Sequence, residues 1–176
     1  TYIVQAWNES GLSGDSLTAY TVTIPPAPTG LIATGGYKQV ALSWTAAQGA
    51  TGYTISSSTG GGGYTQVNGT ISNTFFLDTG LNDGTTYTYV VQAWNESGSS
   101  GDSLTAYTVT IPPAPTGLTA IGGTKQITLS WIGSTGADFY RVSSATAPGP
   151  PSFGQVTTTP STTFNDSPLD DGTRYY

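Results

Sequence analysis

The sequence predicts an all-β protein made of antiparallel sandwiches in tandem, and three observations carry that expectation. Thr, Tyr and Val, which suit a pleated and half-buried surface, recur beside 24 Gly and 11 Pro, which suit turns. Apolar and small or polar residues alternate over short runs, as in Val40-Ala41-Leu42-Ser43-Trp44 and Ile127-Thr128-Leu129-Ser130-Trp131. The chain also repeats itself. Thr1-Tyr2-Ile3-Val4-Gln5-Ala6-Trp7-Asn8-Glu9-Ser10 recurs from Thr88 as Thr88-Tyr89-Val90-Val91-Gln92-Ala93-Trp94-Asn95-Glu96-Ser97, an offset of 87.

That offset orders the elements. Between Thr1 and Leu31 only Ile3 and Leu12 differ from their counterparts Val90 and Ser99. Trp44 pairs with Trp131 and Tyr53 with Tyr140 at the same spacing, and by Leu81 and Leu169 it has become 88. The added length falls where Gly60 to Gly63 give way to Ala147-Pro148-Gly149-Pro150-Pro151, which marks a loop. One strand ends at Trp44 or Trp131. The next begins with Tyr53 and Ile55, and a later one holds Phe76 or Phe164. Tyr87, Tyr89, Val91 and Ala93 then share one face of a strand, opposite Thr88, Val90, Gln92 and Trp94. Pro25-Pro26-Ala27-Pro28 and Pro112-Pro113-Ala114-Pro115 cannot extend a ladder and read as stiff junctions. Trp44, Trp131, Tyr53, Leu81, Tyr89, Val91 and Phe76 are expected in the core.

Charge and composition narrow the function. Only 8% of the 176 residues are charged, against roughly 25% in an average domain. The net charge is −6, with Lys38, Lys125, Arg141 and Arg174 as the cations, so nucleic acid and anionic membranes are not expected partners. No run reaches the apolar length of a membrane span. Without Cys there is no disulfide or thiolate metal site, and without His no Ser-His-Asp triad. Such a thiol-free, weakly charged surface suits a bacterial or archaeal extracellular or cell-surface setting.

The spaced positions resemble the fibronectin type III family. Pro113 and Leu118 stand where that family opens, Trp44 and Trp131 where it buries a Trp, and Tyr53 and Tyr140 where a Tyr follows. Leu81-Asn82-Asp83-Gly84-Thr85-Thr86-Tyr87 and Leu169-Asp170-Asp171-Gly172-Thr173-Arg174-Tyr175 resemble its tyrosine corner, with Asp83 and Asp171 where it often has Pro. The resemblance implies immunoglobulin-like sandwiches of seven strands in two antiparallel sheets. It does not by itself imply a function.

The candidate sites are few. Asp170-Asp171 and Asn82-Asp83-Gly84 could hold a cation, but they sit in turns whose backbone such residues satisfy. Glu9 with Asp15, and Glu96 with Asp102, could bind calcium weakly or simply solvate an exposed loop. Gly60-Gly61-Gly62-Gly63 is followed by Tyr64-Thr65-Gln66 and so lacks the Lys-Ser/Thr of a phosphate loop. Gly101-Asp102 follows Ser100, so there is no Arg-Gly-Asp. Asn8, Asn68, Asn95 and Asn165 match the glycosylation pattern, which chance also supplies in a Ser/Thr-rich chain. Trp7 and Trp94 point away from the Val91 face, with Tyr20 and Tyr107 in the neighbouring last strand. These four are the candidate interface, unless the Trp covers its own loop or an adjacent domain.

The organisation expected is residues 1–24 as the last two strands of a partial domain, 25–111 as a complete domain, and 112–176 as a domain lacking its last two strands. Thr1 and Tyr176 both align with Thr88, so the two partial domains are complementary. The expected function is a structural repeat unit of an extracellular filament, stalk or sheath, joined head-to-tail to neighbouring repeats or copies. The alternative is an adhesin or carbohydrate-binding array using the exposed aromatics. No enzymatic activity, cofactor or metal is expected.

Overall fold

The computed structural model of the chain describes residues 1–67, 69–146 and 153–176. The inserted run Ala147 to Pro151 and the glycosylation match at Asn68 lie outside the described residues. The chain divides into two compact units. One comprises Thr1–Thr34, Val40–Asp78 and Tyr87–Thr108; the other comprises Gly35–Gln39, Thr79–Thr86 and Val109–Tyr176.

The first unit holds a hairpin and a sandwich. In the hairpin, β1 (Trp7–Asn8) pairs antiparallel with β2 (Gly11–Leu12), and a bridge joins Tyr2 to Ala19. The sandwich follows as β3 (Thr29–Gly36), β4 (Gln39–Thr45), β5 (Gly52–Thr59), β6 (Thr65–Gln66), β7 (Phe75–Thr79), β8 (Thr86–Asn95), β9 (Gly98–Ser99) and β10 (Ala106–Val109). One sheet runs β3-β4-β7 and the other β10-β8-β5-β6, with the short β9 also on β8. The predicted alternation becomes the core. Val40, Leu42 and Trp44 of β4 face Tyr53 and Ile55 of β5 and Tyr87, Tyr89, Val91 and Ala93 of β8, all buried. Trp44 meets Tyr53 edge-on at 5.5 Å and 67°. The Tyr53 hydroxyl in turn accepts the Ala47 N–H at 3.0 Å. Val90, on the outer face, is also buried, because β8 has strands on both sides to shield it.

The second unit repeats half of this plan. It contains β11 (Thr116–Gly123), β12 (Gln126–Ile132), β13 (Tyr140–Ser144), β14 (Gly154–Thr159) and β15 (Thr163–Asp166). The order β11-β12-β15 reproduces β3-β4-β7, and β13-β14 reproduces β5-β6. Trp131 meets Tyr140 at the same 5.5 Å and 67° as the earlier pair. Tyr140 accepts the Ser134 N–H at 2.9 Å, as Tyr53 does from Ala47. No described strand lies where β8 and β10 lie in the first unit. The Ala145–Tyr176 pair, at 3.1 and 2.8 Å, falls where Ser58 pairs with Thr88. Tyr175 forms a tyrosine corner by accepting the Asp170 N–H at 3.1 Å.

Three expected core residues are half-buried instead of enclosed. No described strand lies over Trp131. Phe76 sits on β7, an edge strand with one open flank, and Leu81 sits at the rim of the strands. The Gly60-to-Gly63 run is an inter-strand loop: Gly60 and Gly61 take φ of 62° and 76°, and Ser58 Oγ donates to the Gly62 carbonyl at 2.7 Å.

Candidate functional site: an exposed hairpin, an open core and a backbone clasp

The hairpin of residues 1–24 carries the same hydrogen bonds as its counterpart at 88–111. Ser13 N–H donates to Ala6 O at 2.7 Å, and Ser100 N–H to Ala93 O at 2.7 Å. Val4 N–H donates to Ser16 Oγ at 2.9 Å, and Val91 N–H to Ser103 Oγ at 3.0 Å. Gln5 Nε2 reaches Asp15 Oδ1 at 2.6 Å, and Gln92 Nε2 reaches Asp102 Oδ1 at 2.9 Å. Burial is what differs. Tyr89 and Val91 are fully enclosed, whereas Tyr2 and Val4 are 69% and 71% exposed. A Val or Tyr left in water forgoes about 1.5–3 kcal/mol of burial.

The second unit shows the matching deficit. A cavity of about 340 Å³ opens between its sheets, lined mainly by Pro115, Leu118, Leu129, Trp131, Tyr140 and Val142. Leu129 and Tyr140 are half-buried where Leu42 and Tyr53 are buried. In the first unit that volume is filled by Tyr89, Val91 and Ala93 from β8. Tyr89 also donates its hydroxyl to Asp78 Oδ2 at 2.9 Å, in a buried pair. Burial first, and then this bond and the carboxylate charge, push the Tyr89 phenol above its ordinary pKa. Asp166, the counterpart of Asp78, is half-buried beside the open cavity's sheet.

The candidate aromatics separate into two kinds. Trp7, Tyr20 and Tyr107 are more than three-quarters exposed. Trp94 is half-buried and is not a free anchor, because its ring lies across Gly52, its cross-strand partner on β5. A Cβ at Gly52 would stand 2.5 Å from Trp94 Nε1, so the missing side chain there is what lets the indole lie down. The sequence shows Gly52 before Tyr53 at the head of the strand, but not the register that sets it opposite Trp94.

From sequence the Asn-Glu-Ser-Gly loop offered only a glycosylation match and, through Glu9 or Glu96, a weak calcium candidate, and it has a structural part. Asn95 is buried. Its Nδ2 donates to the Thr23 carbonyl at 2.8 Å and to the Gly49 carbonyl at 3.1 Å. Ser97 Oγ donates to the Val22 carbonyl at 2.6 Å, and Ser97 N–H turns back to Asn95 Oδ1 at 2.9 Å. Asn95 is thus committed to the backbone, which leaves no amide free for a glycan. Asn165 Nδ2 likewise reaches Gln126 Oε1 at 3.2 Å.

The turn carboxylates serve the backbone. Asp171 Oδ1 accepts the Lys125 N–H at 3.0 Å. Among the described residues no three or more acidic side chains cluster as metal ligands would.

Known proteins place this geometry in a family. The model of the fibronectin type III domain matches residues 26–109. An amylopullulanase of Thermoanaerobacterium saccharolyticum is 36% identical over 107 residues, covering 60% of this chain and 8% of that enzyme. Exoglucanase B of Cellulomonas fimi is 31% identical over 186 residues, covering 93% of this chain and 16% of the enzyme. The chain therefore spans only a small part of each enzyme's length. Domains A168–A170 of titin superpose with a TM-score of 0.50 at 24% identity, over 62% of this chain and 40% of that one, which speaks for the fold alone. Residues 26–109 are a fibronectin type III domain, and the sequence on either side of them repeats parts of it.

Proposed function

We propose that the chain is a structural repeat unit of an extracellular or cell-surface filament, stalk or sheath, joined head-to-tail to copies of itself or to neighbouring repeats. Residues 1–24, 25–111 and 112–176 are its modules, and none has a catalytic role. The observation that carries this reading is the match between the exposed hairpin and the open cavity. Tyr2, Val4 and Ala6 are the counterparts of the residues that fill the first unit's core. The open edge of β13 supplies the backbone partner such a strand requires. The contact uses different surfaces on the two copies, so it propagates unless it closes into a ring. Sedimentation and electron microscopy of the 176-residue chain test it. Oligomers that lengthen with concentration are expected of this chain or of one extended by a further repeat, and a chain that associates neither with itself nor with an added repeat would overturn it.

A second reading is favoured by one observation: related segments lie within an amylopullulanase and an exoglucanase. Here Trp7, Tyr20 and Tyr107 would form a carbohydrate-binding face. Affinity electrophoresis in starch or cellulose decides it, since retardation that Tyr107→Ala abolishes would favour this reading over the first.

A further inference from the structure

The chain enters the sandwich of the first unit through a segment that is held residue by residue. Pro25 and Pro28 are buried at its foot. Val22, Thr23 and Ile24, just ahead of them, are exposed and lie in no strand. Each is nevertheless gripped by the turn between β8 and β9. Asn95 Nδ2 donates to the Thr23 carbonyl at 2.8 Å, and Ser97 Oγ donates to the Val22 carbonyl at 2.6 Å. Gly98 lies against the Ile24 side chain, where an added Cβ would stand 3.4 Å from Ile24 Cδ1. Prolines fix φ only at their own positions, so without this grip the chain could bend at the three residues ahead of them.

Asn95 is well placed for the task. It is buried, and its amide donates to two separate segments: Thr23 and, at 3.1 Å, the Gly49 carbonyl in the loop between β4 and β5. Its Oδ1 accepts the Ser97 N–H at 2.9 Å, which orients the amide. The Gly49 loop is itself tied back, since Thr51 N–H donates to the Trp94 carbonyl at 2.8 Å. The entering segment, the β4–β5 loop and the β8–β9 turn are thus joined at one side chain. Releasing it would strand a buried donor, which costs more than the bond itself contributes.

We infer that Asn95 and Ser97 are a junction lock. They fix the direction in which the residues before Pro25 leave the sandwich, and they make the proline run a rigid spacer instead of a hinge. Asn95 acts as a positioning residue, because its two donors hold backbone and touch no ligand. A glycan on Nδ2 and the lock are mutually exclusive. All of these contacts lie inside the first unit, and the lock stands whether or not the chain associates with itself.

Residual dipolar couplings and thermolysin cleavage at the Thr21–Val22 bond of the 176-residue chain test the lock. In the parent, the amides of Tyr2–Ala19 and those of β4, β5 and β8 should fit one alignment frame. Asn95→Asp/Ser97→Ala keeps an acceptor for the N–H of residue 97 but turns a carboxylate oxygen toward two carbonyls. It should shrink the Tyr2–Ala19 couplings about twofold or more while those of the sandwich stay unchanged. Cleavage should become about tenfold faster or more, as the loss of these neutral hydrogen bonds implies. Ser97→Ala alone loses only the bond to Val22 and should speed cleavage about two- to fivefold. It decides the matter if Asn95→Asp weakens the sandwich itself. The lock is refuted if the parent's Tyr2–Ala19 amides already need a frame of their own, or if both variants are cleaved at the parent rate. Faster cleavage with unchanged couplings would also refute it, since the bonds would then restrain only the three residues they touch.

Discussion

Residues 1–24 and 88–111 are nearly the same sequence in two situations, and their difference separates what is local in this fold from what is not. Both form a hairpin with the same Ser-to-backbone bonds, the same Gln–Asp bridge and the same loop at Gly11 or Gly98. The pairing of these two strands is thus written in some twenty residues. Burial is not: Tyr89 and Val91 are enclosed because β4 and β7 of the other sheet lie opposite and β5 lies beside them, whereas Tyr2 and Val4 are exposed. An isolated hairpin is marginal in water. The exposed copy has the same Ser hydroxyl bonds to its strand backbone as the buried one, so these bonds belong to the hairpin and not to the sandwich around it.

The largest expected effect reads this comparison from the receiving side. Trp44→Ala should cost about 3–5 kcal/mol, as large core truncations do. Trp131→Ala, in a half-covered site, should cost about 1–2 kcal/mol in the unassociated chain. Denaturant unfolding of both variants measures the gap. Addition of a second copy should close it, so equal costs in the dilute monomer would show that the second unit's core is already complete.

The two residues also show what the sequence disclosed and what it withheld. Alternation placed Trp44 and Trp131 on the inner face of their strands, and both are there, each edge-on to its Tyr. The turn at Asp170-Asp171 and the loop at Gly60 could likewise be read from residue type, because their roles are backbone roles. Trp94 could not be placed by alternation alone. Its position depends on Gly52, 42 residues earlier, through a cross-strand register that periodicity does not specify. The clasp at Asn95 was hidden for the same reason: its acceptors are carbonyls at Val22, Thr23 and Gly49, which carry no side-chain signature. The half-burial of Phe76 depends on β7 being an edge strand, which is a property of the sheet and not of the segment.

A smaller contrast lies at the Tyr hydroxyl. Tyr89→Phe removes a buried bond to Asp78 and should cost about 1.5–3 kcal/mol, the range for bonds to charged groups. Tyr2→Phe should leave the monomer unchanged. The raised phenol pKa adds a pH signature. Because folded Tyr89 holds its proton more tightly than the unfolded chain does, the stability it contributes is complete below the unfolded value of about 10. It is lost as the pH rises above that value. Tyr89→Phe should flatten this alkaline decline in thermal melts. An unchanged slope would mean that the phenol does not titrate with unfolding.

The finest contrast is at the cross-strand position where the repeats differ most in size. Trp94 lies flat because its partner is Gly52; 87 positions after Gly52 stands Phe139, exposed immediately before β13. Trp7 cannot lie across that strand as Trp94 does, since even a Cβ at Gly52 would crowd the indole. In the completed assembly Trp7 and Phe139 should instead stand together as a cross-strand aromatic pair, worth about 0.5–1 kcal/mol. Phe139→Gly should then weaken association about two- to fivefold. The reciprocal Gly52→Phe should lift Trp94 off the sheet and shift its fluorescence to longer wavelength. Tighter association of Phe139→Gly would reverse the argument: the Phe ring would be an obstacle, and Trp7 would prefer the flat position that Trp94 occupies.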